Sequence, residues 1–274
     1  MKKLFVFMAL AAILQCAQAQ RYTHIVYIPA DGEHHFGFSI APSFGRQTFG
    51  VGVEGAGTGT PAGQSDMWGS MTSDMGVGAG LFYGYETRHG RTLEWGNYTS
   101  LYYNVTPFGG TVAYGPGTEQ TEHRLSYLAQ RVVLHVNPFL AYVINDEWSV
   151  SAGVGLSVGP QLKSRVRVDG TPMAPDESSG MDFFNMVMGF LNLNVDANAG
   201  VKYWFGDDVF VGMRLQYTFF SLSSLALFDE EGDIDLEKFP NGVVALNPAK
   251  GTATARYFQP KNAFQAVVSV GYVW

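Results

Sequence analysis

Apolar and polar residues alternate with a period of two along several segments of the chain. Residues 264–274 show the pattern most clearly, because every second position is apolar and the positions between are small or polar and uncharged. A period of two predicts a β-strand whose two faces meet different surroundings. The apolar positions of this segment are Phe264, Ala266, Val268, Val270, Tyr272 and Trp274.

The same alternation predicts seven further strands. Four are clear, at 75–85, 150–158, 193–203 and 209–219, and three are weaker, near 36–45, 91–105 and 124–143. The clear strands carry no charge on their apolar faces, and a charge on the lipid face of a membrane barrel costs about 2–4 kcal/mol at mid-bilayer. A soluble β-sandwich also alternates, but its wet face would normally carry Lys, Glu and Thr rather than the Gly, Ser and Asn found here.

The connections between these strands alternate in length. Short turns are predicted at 88–91, 145–147 and 206–208, and long loops at 46–73, 106–123, 163–191 and 222–261. Membrane barrels have short periplasmic turns and long extracellular loops. The sequence therefore predicts an all-β fold, a transmembrane antiparallel up-and-down barrel of eight strands. A barrel of ten strands is the alternative, because Phe49, Val51 and Val53 also alternate with polar or small residues. Either the first strand projects beyond the membrane or two more strands exist.

The N-terminus has the features of a secretion signal. Lys2 and Lys3 precede an apolar run at 4–14, and Ala17-Gln18-Ala19 forms a small-x-small cleavage site,. The predicted organisation is a cleaved signal at 1–19, an N-terminal periplasmic segment at 20–35 and a barrel at 36–274. Cys16 could indicate a lipoprotein, but Gln15 stands where a small residue would be expected.

The composition narrows the classes of partner. Removing two lysines from 17 basic residues leaves 15 against 24 acidic residues, a mature charge of −9. This acidity argues against nucleic acid as a partner. The mature chain would contain no cysteine and hence no disulfide, and past the signal no apolar run of 18 residues could span a bilayer as a helix.

With these features the chain resembles small bacterial outer-membrane β-barrel proteins over residues 36–274. Members of that family end on an aromatic residue, with a second aromatic two positions earlier and apolar residues at alternate positions before it. Trp274, Tyr272, Val270, Val268 and Ala266 match, although Trp replaces the more usual terminal Phe. The resemblance implies that the outer-membrane barrel assembly machinery recognises Tyr272 and Trp274.

Charged residues also fall on the inward faces of the predicted strands. Because the interior of an eight-stranded barrel is only wide enough for side chains to fill, and buried charges persist only when paired, we expect a lumenal charge network that plugs the barrel. An ion pathway or a catalytic site is the alternative. The predicted members are Glu94, Arg131, Asp196, Lys202 and Arg214, with Glu86 and His135 nearby.

Other candidates for chemistry are weaker. His123, Glu122 and Ser126 are close in sequence, but residues 123 and 126 point to opposite faces of a strand. The acidic segment 229–237 could bind Ca²⁺, although it lacks the ligand order of an EF-hand. The Met-rich segment 181–190 predicts either a partner-binding surface or a helix over the barrel rim.

These features predict a non-catalytic protein with no cofactor and no metal site. Its expected partners are the outer-membrane bilayer, the assembly machinery and an extracellular or envelope protein. Its role would be adhesion, binding or assembly through the extracellular loops. A small channel or transporter is the first alternative, and a lipid-modifying enzyme the second.

Overall fold

A computed structural model describes residues 32–54, 65–89, 92–115, 120–162, 165–174, 193–206, 208–221, 242–257 and 263–273. The barrel lies in the compact unit Glu33–Trp274. No helix in the described ranges is long and apolar enough to cross a membrane.

The regular structure in these ranges is β-strand. The strands differ greatly in length, and four of them, β1 to β4, exceed 20 residues. The strands are β1 Glu33–Glu54, β2 Ser65–His89, β3 Leu93–Tyr114, β4 Thr121–Val143, β5 Trp148–Val158, β6 Arg167–Val168, β7 Thr171–Pro172, β8 Asn194–Phe205, β9 Val209–Ser221, β10 Gly242–Asn247, β11 Thr252–Tyr257 and β12 Ala263–Val273.

Eight strands form a closed antiparallel ring, which we call the membrane ring. Its order is β1-β2-β3-β4-β5-β8-β9-β12, and β12 returns to pair with β1 from His35↔Val273 to Phe44↔Phe264. Closure leaves no unpaired edge in hydrocarbon. The prediction of an eight-stranded antiparallel barrel is confirmed.

An exposed apolar belt surrounds this ring. On β9 the outward apolar set runs from Val209 to Phe219, which at about 3.4 Å per residue and a tilt of about 40° covers about 26 Å of membrane. Every strand of the ring contributes. Exposed members include Phe36, Ile40, Phe44, Met75, Leu81, Tyr83, Leu101, Tyr103, Leu134, Leu140, Tyr142, Val150, Val154, Val201, Phe205, Met213, Leu215, Phe264, Val268, Val270 and Tyr272.

Two predicted details need correction. Val195 is an apolar alternate position of the predicted strand 193–203, so we expect it to face outward, but it is 8% exposed. It lies at a register shift between Val195 and Asp196 that breaks the alternation of β8. The first strand begins at Glu33 rather than at residue 36, so its first residues belong to the barrel and not to the predicted periplasmic segment.

Much of what was predicted as long loop is sheet. Strands β1 to β4 continue past the belt, β10 pairs in parallel with β1 from Gly50↔Val243 to Val53↔Leu246, and β11 pairs with β10. The β6–β7 hairpin pairs with β4, and a bridge between Ala174 and Thr252 joins its far side to β11. These eight strands form a second ring beyond the belt.

An apolar core fills the second ring. Phe49, Val51 and Val53 belong to β1 and point inward into this core, so the first of the two expectations holds: the first strand projects beyond the belt, where β10 pairs with it and β11 with β10. The membrane ring nevertheless keeps eight strands. The buried core consists of Phe49, Val51, Val53, Met71, Phe108, Val112, Leu125, Tyr127, Ala129, Val166, Val168, Val244 and Leu246.

Candidate functional site: the filled lumen and the second ring

An ion pair crosses the lumen near its short-turn end. Lys202 Nζ, from β8, donates a hydrogen bond to Glu86 Oε1, from β2, and the Tyr98 hydroxyl donates to the same carboxylate oxygen. The ammonium also lies 4.9 Å from the ring centroids of Trp204 and Phe210. Glu86 is 4% exposed, so aromatic rings and paired charges close this layer together.

A second polar layer lies further along the lumen. His135 Nε2 and Asp196 Oδ2 are 2.8 Å apart, and Asn198 Nδ2 donates to Asn137 Oδ1 at 2.6 Å. His135 is on β4 and Asp196 on β8, so their contact passes over the intervening strand β5 at Gly155. A Cβ added to Gly155 would overlap both side chains, and glycine is what allows the contact.

The predicted lumenal charges all lie in the lumen, but the contacts that the structure shows differ from the expected ones. Lys202 meets Glu86, and Asp196 meets His135, rather than each other or Glu94. Arg131 Nη2 donates to the Gly159 carbonyl at 3.1 Å. Arg214 has a buried Nε with no hydrogen-bond partner among the described residues. Sequence reasoning noted Glu86 and His135 only as neighbours, because the strand facing each residue across the ring is set by closure.

Two small cavities lie along the described part of the lumen, one between these layers and one beyond the second. One, of about 40 Å³, is lined by Ser100, Tyr102, Lys202 and Arg214, and the other, of about 50 Å³, lies beside Asn104 and Arg131. A cavity of roughly 10–15 Å³, measured in this way as the space open to a water-sized sphere, is enough for one water molecule. Each cavity is therefore large enough for a few water molecules.

The outer end of the second ring carries a His–Asp pair. His123 Nδ1 lies 2.7 Å from Asp169 Oδ2, and the Arg124 backbone N–H donates to Asp169 Oδ1 at 2.8 Å. The hydrogen bond with His123 and then that from Arg124 lower the pKa of Asp169. Asp169 has a φ of 48° in the tight β6–β7 turn with Gly170; an Asp-Gly pair between apolar residues is a hairpin signal that could have revealed this element.

His123 and Ser126 lie on opposite faces of β4, as predicted. The His123 ring stacks on Tyr114 at a centroid distance of 4.1 Å, while Ser126 is exposed on the outer surface. No group of three or more metal-binding side chains occurs in the described part of the chain. The segments 181–190 and 229–237 and the terminal Trp274 lie outside the described residues.

Comparison with known proteins finds structural likeness alone. No family model and no curated protein matches the chain. Ail, the attachment invasion locus protein of Yersinia pestis, is 10% identical, with 88% of this chain and 99% of that chain covered and a TM-score of 0.30. OmpT, an outer membrane protein of Vibrio cholerae, is 9% identical over 91% and 100%, with a TM-score of 0.22. The toluene transporter TodX of Pseudomonas putida is 8% identical over 91% and 90%, with a TM-score of 0.21.

Likeness at these levels carries no argument, so the class of the protein rests on its own structure. A closed ring of eight antiparallel strands, an apolar belt of membrane height and a polar, filled lumen are the features of a transmembrane barrel. The protein is an integral β-barrel of the bacterial outer membrane.

Proposed function

We propose that the protein is a non-conducting barrel that holds the second ring at the cell surface as a rigid platform for an extracellular or envelope protein partner. The carrying observation is the apolar core of the second ring. Phe49, Phe108 and Leu125 lie on the inward faces of the same strands that line the lumen, and all three are 3% exposed or less. A passage through the barrel would have to cross this dry layer.

The lumen below supports the same proposal. Three acids and three bases, together with aromatic rings, occupy it where a channel would need continuous water. For the protein to act as a small channel, the Lys202–Glu86 pair and the His135–Asp196 contact would have to break, and the apolar core would have to separate. The acids are Glu86, Glu94 and Asp196, and the bases are Arg131, Lys202 and Arg214.

We also propose that the protein has no catalytic role. Nucleophilic catalysis by serine needs its hydroxyl within hydrogen-bond reach of a histidine base. Asp169 holds His123 Nδ1, as an acid would in such a triad, but the Ser126 side chain points to the opposite face of β4 and cannot reach the ring,. Incubation of the purified barrel with phospholipid vesicles, followed by mass spectrometry of the lipids, should detect no product; a hydrolysed or acyl-transferred lipid that disappears in His123→Ala would return the enzyme alternative.

Conductance tests the central proposal. The purified protein, inserted into planar lipid bilayers, should show no sustained current. Stable channels of uniform conductance would overturn the proposal and favour the transporter alternative. A positive control is a porin inserted under the same conditions, which shows that insertion itself is efficient.

Surface labelling tests where the second ring lies. The predicted mature chain contains no cysteine, so single cysteines can be introduced at Thr171, exposed in the β6–β7 hairpin, and at Asp146, exposed in a short turn. A membrane-impermeant thiol reagent applied to intact cells should label Thr171→Cys and not Asp146→Cys. The reverse pattern would invert the barrel and remove the second ring from the cell surface.

A further inference from the structure

Three arginines lie together on the outer surface where β4 meets β6. In the register, Leu125 pairs with Val168 and Ser126 with Arg167. Leu125 and Val168 are buried in the core of the second ring, so the alternate residues Ser126 and Arg167 face outward.

The other two arginines share this outward face. Arg124 is two residues from Ser126 on β4, and Arg165 is two residues from Arg167, with the buried Val166 between them. Diagonal neighbours on one face of an antiparallel pair have their Cβ atoms about 7–8 Å apart, which the long arginine side chains easily bridge. All three arginines are exposed, so their guanidinium groups can converge on one anion.

The cluster stands at the edge of the apolar belt. On the outward face of β4, Leu128 is 42% exposed and Ser126 separates it from Arg124. Leu162, just before Arg165, is also an exposed apolar residue. Arg124 is the first charged residue on this face of β4 beyond the apolar belt.

Within the described residues, the positive charge of the cluster is only partly compensated. Asp169 lies opposite Arg124 in the strand pairing. Its carboxylate forms hydrogen bonds with the His123 ring and the Arg124 backbone N–H rather than with a guanidinium. Among the described residues these guanidinium groups form no ion pair. Glu122, the next residue along on the same face of β4, is the other described acid beside the cluster, so three arginines there stand against two described acids on an otherwise acidic chain.

We propose that Arg124, Arg165 and Arg167 bind the phosphate groups of lipid headgroups in the outer leaflet. Guanidinium groups bind phosphate oxygens through paired N–H donors, and each basic residue near an anionic membrane surface contributes about 1 kcal/mol. The site would anchor the β4–β6 side of the second ring to the membrane surface, whether or not the lumen conducts.

Native mass spectrometry of the purified barrel in detergent can count bound lipid. The probes are phosphatidic acid, which carries a phosphomonoester, and phosphatidylcholine with the same acyl chains. The wild type should retain phosphatidic acid in preference to phosphatidylcholine. The triple variant R124Q/R165Q/R167Q should bind phosphatidic acid on the order of 100-fold more weakly, and the triple lysine variant should keep most of the binding because it keeps the charge.

Arg46 supplies a matched control. It is exposed at the belt edge on β1, but it falls with Asp74 in the bulge between Phe44↔Met75 and Gln47↔Ser73. Arg46→Gln should leave lipid binding within about twofold of the wild type, because Arg46 lies on β1, outside the arginine cluster of β4 and β6. Circular dichroism and heat-modifiable gel migration check that each variant is folded.

Several results would overturn the proposal. These are equal binding of the two lipids by the wild type, undiminished binding by the folded triple glutamine variant, and an equal loss in Arg46→Gln. Competition separates the sources of phosphate: inorganic phosphate at the lipid concentration should not displace the lipid. Binding of a sulfated polysaccharide through the same arginines, without binding of phosphatidic acid, would replace the lipid by a different class of partner.

Discussion

Lys202 and Glu86 join strands on opposite sides of the membrane ring. Three strands separate β8 from β2 in either direction around the ring, so their hydrogen-bonded ion pair crosses the lumen. The pair acts as a strut inside the barrel, with Tyr98 as a second donor to the carboxylate. The contribution of this pair to the stability of the barrel depends on both members being present, because a buried charge without its partner is strongly destabilising.

We predict that removing one member of this pair costs more than removing both. Lys202→Met should lower the free energy of unfolding by about 3–5 kcal/mol, and the double variant E86Q/K202M should recover much of that loss. Urea unfolding in lipid vesicles, followed by tryptophan fluorescence and gel migration, measures the difference. Glu147→Gln, at an exposed turn position, should stay within about 0.5 kcal/mol of the wild type. A double variant that simply summed two large losses would contradict the coupling.

Gly155 gives a prediction about backbone space. Gly155→Ala places a methyl group where His135 and Asp196 meet, so it should break that contact and destabilise the barrel by about 1–3 kcal/mol. Gly109→Ala is the control, because nothing lies within 4 Å of a Cβ added there. The same unfolding assay applies to both. Equal stability of the two variants would show that β5 shifts to accommodate the methyl group without cost.

How far the sequence predicts this structure can be seen at these residues. The outward side chains follow a local period of two, so the strand count, the belt and the direction of Arg131, Asp196 and Lys202 could all be predicted. The lumenal partners could not, because whether Lys202 meets Glu86 or Glu94 depends on ring closure between residues more than 100 positions apart. The sequence pattern does not predict the second ring, because β6, β7, β10 and β11 are short and β10 pairs in parallel with a strand nearly 200 residues earlier.

Phe49 and Phe44 offer a matched pair on a single strand. Phe49 is fully buried in the second ring, whereas Phe44 is 46% exposed in the lipid belt. Phe49→Ala should destabilise the second ring by about 3–5 kcal/mol while the membrane ring persists. Protease added to intact cells should then cleave the surface half of Phe49→Ala but not of Phe44→Ala. Equal resistance of both variants would mean that the second ring does not depend on its apolar core.

Acidity should loosen the β6–β7 hairpin. The pKa of Asp169 is lowered from its ordinary 3.8 by the hydrogen bond with His123 and then by that from the Arg124 N–H. A lowered carboxyl pKa contributes stability that is present above the unfolded-state pKa and is lost as the pH falls through the folded-state pKa. The protection of the hairpin amides, measured relative to the intrinsic exchange rate at each pH, should therefore fall below about pH 4 in the wild type.

Asp169→Asn isolates this effect. Asparagine tolerates the positive φ of this position but has no carboxyl group to titrate. The variant should show faster exchange of the hairpin at neutral pH and no additional step on acidification. An acid step of unchanged size in the variant would assign the loosening to another group.

The terminal motif can be separated from a general need for interfacial aromatics. Tyr272 and Tyr142 are similarly exposed, at 53% and 54%, but only Tyr272 belongs to the C-terminal motif. Tyr272→Ala should lower the amount of folded protein in the outer membrane, while Tyr142→Ala should leave it nearly unchanged. Membrane fractions and heat-modifiable migration report the folded amount. Equal levels in both variants would argue against a special role of the terminal strand in assembly.

Strand β1 shares its edge between two partners, and this dictates an order of events during biogenesis. Its first half pairs with β12 and its second half with β10. Both partner strands lie in the last eighth of the chain, so they are synthesised last. Until then the growing sheet presents a long unpaired edge, the kind of surface that recruits other chains into aggregates. Truncation before β10 would leave both rings open at once, because the same edge of β1 closes each of them.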